Sequence, residues 1–172
     1  MFLKLFKDKS NQKYINRILN SRISNVRKKR IESVGVVLNL EEFSDYDVLK
    51  QFLKSINVLE NKVKFIAFIE DEKDTLNSWD SYFYAKDFGW RGKINNIELE
   101  EFINSKFDVL ISYYKKDRYE LNVVTAVSKA NFKVGIADHD ERLNDFIIKI
   151  KPNQIETFKS ELLKYFKVLN IV

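Results

Sequence analysis

The only histidine of the chain, His139, stands in the run Asp138-His139-Asp140-Glu141-Arg142. An imidazole among carboxylates suits proton transfer or a carboxylate-rich metal site, and the bland alternative is a solvated charged loop. Asp71, which follows an apolar run at 63–69, could pair with Asp138 around Mg²⁺, although most charged loops offer two acids. Arg118 and Arg142 supply positive charge for an anionic ligand. Asp71, Arg118, Asp138, His139 and Arg142 are therefore the candidate crevice of a small-molecule or nucleotide-binding protein. A second set, Lys13, Arg17, Arg27, Lys28 and Arg30, belongs to different chemistry. Cations spaced along a helix neutralise phosphates and orient a nucleic acid without reading its sequence.

Much familiar machinery is absent. No G-x-G-x-x-G follows the first strand, where Val34-Gly35-Val36 lies within the strand itself. There is no P-loop, no G-x-S-x-G, no H-E-x-x-H and no cysteine to act as a nucleophile or thiolate ligand. The expectation is no cofactor, no metal and no assigned catalytic residue.

The elements that must position these residues centre on 107–136. Asp108 to Ser112 reads as a strand, Tyr119 to Ala130 as a helix and Phe132 to Ile136 as a second strand. Such a βαβ unit makes the two strands parallel. Further strands are expected at 33–38, 63–69 and 145–150, with a short one at 82–85. Helices are expected after Ser44 or Asp45, at 97–104 and at 154–168. The fold class is α/β: a three-layer Rossmann-like domain, its mostly parallel sheet of five or six strands covered by helices on both faces. In such a sheet the crevice candidates fall beyond the carboxyl ends of the strands. The helix at 121–130 is apolar or small nearly all round, so it needs two covers. The sheet is one; the other is the N-terminal helix or a second subunit, which would make a homodimer through 121–130.

The net charge of +5 is unevenly spread. Residues 1–30 hold ten Lys or Arg against the single acid Asp8, a balance of +9, and the other 142 carry 20 basic and 24 acidic side chains. The chain divides into a basic N-terminal arm with an amphipathic helix at 1–30 and a single α/β domain at 31–172. In 11–28, Ile15, Leu19, Ile23 and Val26 form an apolar stripe, with Lys13, Arg17 and Lys28 opposite. That polar face is either solvated or set against phosphates, an anionic membrane or an acidic protein surface. Lys86-Asp87-Phe88-Gly89-Trp90-Arg91-Gly92-Lys93 puts two aromatics among three cations, which suits base stacking and backbone contact but equally a loop whose Phe88 and Trp90 plug the core edge. No apolar run is long enough for a transmembrane segment, and the lysines of Met1 to Lys7 interrupt any signal peptide. The expected location is cytoplasmic. The first functional expectation is a non-enzymatic RNA- or ribosome-associated protein.

Phe107 to Ile111, Leu121 to Ala130 with Ala126-Val127-Ser128-Lys129-Ala130, and Phe132 to Ile136 resemble an uncharacterised Bacteroidota family. Lys86-Asp87-Phe88 with Trp90 to Lys93, Asn144 to Ile148 and Tyr165 to Asn170 are similar to it too. The resemblance implies domain boundaries and no activity. A fainter likeness links 107–136 to the acceptor-side domain of heptosyltransferase-like glycosyltransferases. It implies a small-molecule-binding Rossmann-like domain, a degenerate half of such a transferase.

Overall fold

The computed structural model describes residues 2–23, 29–70 and 81–172. Its strands are β1 (Val34–Asn39), β2 (Val63–Phe68), β3 (Ser81–Phe83), β4 (Val109–Tyr113), β5 (Phe132–Gly135) and β6 (Phe146–Ile147). They form one sheet in the order β3-β2-β1-β4-β5-β6. Every pairing is parallel: Val34 lies opposite both Val63 and Val109, and Val109 opposite Phe132. This is the strand order of doubly wound dinucleotide-binding sheets.

Parallel strands covered on both sides read as continuous apolar runs, and β1 and β4 are buried along their whole length. Alternate residues serve opposite faces. Val34, Val36, Leu38, Val109, Ile111 and Tyr113 point to one core with α2 (Tyr46–Ser55) and α5 (Ile155–Leu169). Val37, Leu110 and Ile66 point to the other, with α1 (Phe2–Ser21), α3 (Ile97–Asn104) and α4 (Tyr119–Val127). Gly35 is needed within β1, because a Cβ there would lie 2.6 Å from the Phe107 ring.

The expected three-layer α/β architecture is what the chain forms, with six strands. Four local expectations shift. The N-terminal helix begins at Phe2 and stops at Ser21 instead of spanning 11–28. Ile15 and Leu19 are buried as the stripe requires, but Ile23 is 87 % exposed. The helix stops because Arg22 leaves it to pair with Asp145 at 2.6 Å, a tertiary contact that outweighs local propensity. Residues 24–28, with Val26, lie outside the described residues.

β6 is shorter than 145–150, reduced to Phe146–Ile147 at the sheet edge. α4 ends at Val127 rather than Ala130. There Lys133, buried in β5, donates its ammonium to the Thr125 and Ala126 carbonyls at 2.7 and 3.0 Å. A cation at a helix C-terminus matches the dipole, yet burial above all, with Arg22 nearby, pulls the Lys133 pKa down to about 7. Finally, 84–93 holds two 3₁₀ turns, Ala85–Asp87 and Trp90–Gly92. Phe88 plugs the core edge-on to Phe83 and Tyr119, whereas Trp90 stays 48 % exposed.

α1 is the cover that α4 requires. Leu121, Val123 and Val124 are fully buried within the one chain, in the core shared with α1.

Candidate functional site

The order of strands reverses between β1 and β4, where ligands of open parallel sheets collect. β1 ends at Asn39 and β4 at Tyr113, and the segments that follow face each other. The carboxylate of Glu42 accepts hydrogen bonds from the backbone N–H of Lys115 at 3.0 and 3.1 Å and of Lys116 at 3.1 and 3.2 Å. The Asn39 amide donates to the same carboxylate at 3.0 Å. Successive N–H groups pointing one way make an anion cradle, and here it is filled by the chain's own side chain.

The neighbouring charges are likewise paired. Lys115 binds Asp138 at 2.7 Å, which holds that carboxyl below the usual range, and Lys116 binds Glu41 at 2.5 Å.

The other crevice candidates follow suit. Arg118 pairs with Glu70 at 3.0 Å and lies over the Phe68 ring, 5.5 Å from its centroid. His139 Nε2 is 3.0 Å from the Asn122 side-chain oxygen, and the Asn122 amide donates to Asp117 at 2.7 Å. Those three line a cleft of about 300 Å³ beside Gln12 and Ile15 of α1. Arg142 pairs with Asp140 at 2.6 Å, lowering that carboxyl's pKa, and reaches Asn16 and Asn20 of α1 at 3.2 and 2.5 Å. It is a clasp for the helix. Asp71 lies outside the described residues. So four of the five candidates stand in loops that follow parallel strands, and each is engaged by its own chain. Among the described residues no three His, Asp or Glu side chains are placed to hold a metal ion.

The cations of α1 are arranged differently. Lys9, Lys13 and Arg17 line a cleft of about 640 Å³ with Ser10, Tyr14 and, from the Trp90–Gly92 turn, Arg91. No acid lines it. Among the described residues none of the four cations forms an ion pair. The Arg17 guanidinium sits over the Tyr14 ring at 5.7 Å.

Two devices hold the walls together. Asn11 donates to the Gly89 carbonyl at 3.2 Å and accepts from the Gly92 N–H at 3.3 Å. The turn itself enters the left-handed region at Arg91 (φ 56°) and Gly92 (φ 75°). A Cβ at Gly92 would fall 2.0 Å from the Tyr14 ring, so only glycine lets the turn approach α1.

Of the five expected phosphate-binding cations, Lys13 and Arg17 meet in this cleft. Arg30 is exposed in the segment before β1 and does not line it. Arg27 and Lys28 lie outside the described residues. Lys9 and Arg91 escape the sequence reading. The signal for Arg91 was its place in the aromatic and cationic run at 86–93; nothing local says that this run abuts α1.

The model of a family of unknown function, DUF6913, matches residues 7–169. The chain belongs to DUF6913. The match takes in Lys9, Lys13, Arg17 and Arg91, so both walls of the cleft belong to the DUF6913 domain. Neither the curated proteins nor the solved structures yield a match.

Proposed function

We propose that this protein binds RNA through the cleft between α1 and the Trp90–Gly92 turn, as a ribosome-associated binding protein. The observation that carries the reading is the convergence of Lys9, Lys13, Arg17 and Arg91 on one concave, acid-free surface with no ion-pair partner among the described residues. Unpaired cations on opposing walls attract a phosphate backbone and release its counterions. The half-exposed Trp90 in the same turn adds a ring on which a base can stack. The alternative, a small-molecule or nucleotide site at the strand ends, has less behind it, because Glu42 fills the anion cradle there.

Sucrose-gradient sedimentation of cell extract at low salt, with fluorescence anisotropy of purified protein on single-stranded RNA, tests the reading. Co-migration with ribosomes and saturable binding are expected. A protein that stays at the top of the gradient and leaves RNA anisotropy unchanged would overturn it.

A further inference from the structure

Among the described residues, the largest cluster of exposed apolar side chains lies on the first two turns of α1. Phe2 and Leu3 are each 75 % exposed, Leu5 54 % and Phe6 60 %. With 3.6 residues per turn, Phe2, Phe6, Lys9, Lys13 and Arg17 fall within an arc of about 80°. Asn11, Ile15 and Leu19, the buried residues of α1, point to the opposite side. One side of α1 thus carries an apolar tip, Phe2 and Phe6, followed by the row of cations that lines the cleft.

We infer that this face lies on an anionic phospholipid surface, with Phe2, Leu5 and Phe6 among the acyl chains and the cations at the headgroups. An interfacial helix combines aromatic and aliphatic residues that enter the acyl boundary with Lys or Arg that reach anionic headgroups. No described helix is long and apolar enough to cross a membrane, so α1 would lie along the surface. One other occupant fits less well. A second copy docked face to face would set Lys9, Lys13 and Arg17 against their own like charges.

The test is co-flotation of the full chain with vesicles of phosphatidylcholine and phosphatidylglycerol in about equal parts, and with phosphatidylcholine alone. Wild type should float with the mixed vesicles and scarcely with the neutral ones. F2S/F6S should lower that affinity about a hundredfold, because burying each of the two rings is worth about a factor of ten. Neither Phe2 nor Phe6 lines the cleft, so F2S/F6S should still bind single-stranded RNA as wild type does, which separates this inference from the proposed function. K9Q/K13Q/R17Q should abolish the preference for the anionic vesicles. Three results would overturn the inference: wild type left in the aqueous fraction, F2S/F6S floating as wild type does, or a dimer of the wild type that F2S/F6S dissociates.

Discussion

The Glu42 carboxylate bridges the backbone N–H groups of Lys115 and Lys116 across the β1–β4 switch point, 3.0 to 3.2 Å from each. A side chain from the loop after one strand thus closes the anion cradle after the next. Removing it should reopen the cradle. Glu42→Ala is expected to cost about 1–2 kcal/mol, since half-buried N–H groups lose a charged acceptor. Sulfate should then raise the Tm of the variant more than that of wild type, because an anion binding only the folded state stabilises it. Equal sulfate shifts in both proteins would mean that the cradle is too open to hold a free anion.

Binding in the cleft should show the salt dependence of four phosphate contacts. For single-stranded RNA, Lys9, Lys13, Arg17 and Arg91 predict a logarithmic slope of about −2.8, at about −0.7 per contact. K13Q/R17Q/R91Q should reduce its magnitude by about 2 and leave the Tm nearly unchanged, because exposed charges contribute little to folding. An unaltered slope in the variant would place the RNA elsewhere.

Stability should rise from neutral to alkaline pH. Burial holds the Lys133 pKa at about 7 in the fold, against 10.5 for the free side chain. Between those values the unfolded chain carries the extra proton, so stability increases with pH by up to about 1.4 kcal/mol per unit. Tyr113, Tyr114 and Tyr119 are raised by burial above their ordinary 10.0, so the unfolded chain ionises first and stability falls again beyond about pH 10. Urea midpoints from pH 7 to 11 should pass through a maximum. Lys133→Met should remove the rising limb alone. A flat wild-type limb would mean that the Thr125 and Ala126 carbonyls keep the ammonium charged.

Arg22 anchors the end of α1 to Asp145, whose side chain is 4 % exposed. Arg22→Ala leaves that carboxylate with the Lys133 backbone N–H at 2.8 Å and no cation, at a cost of about 3 kcal/mol. α1 should then be cleaved by trypsin well before the sheet. Cleavage as slow as in wild type would assign the anchoring to Arg142 and its contacts with Asn16 and Asn20.

The sheet was legible because its strands are buried on both faces, which leaves uninterrupted runs such as Val109 to Tyr113. The βαβ unit, the helix at 97–104 and the parallel order needed nothing beyond period and length. α1 was legible only in part. Its Phe2 and Phe6 point away from Ile15 and Leu19, so the apolar residues of the full helix do not add to one stripe, and its start was missed. Arg118, Asp138, His139 and Arg142 do stand in loops that follow strands, but charge type says nothing about who neutralises it. Glu42, 73 residues from Lys115, carries no local mark of its role. Arg91 is hidden for the same reason, its neighbours on α1 lying far away in sequence.

Asn11 clips the helix to the turn from both sides, donating to Gly89 and accepting from Gly92. Because the cleft lies between α1 and the turn that this clip joins, docking of α1 and occupancy of the cleft are thermodynamically linked. A polyanion that bridges the walls must slow amide hydrogen exchange along α1 and in residues 89–93 together, while the exchange of β1 and β4, set by global unfolding, shifts only as the whole domain is stabilised.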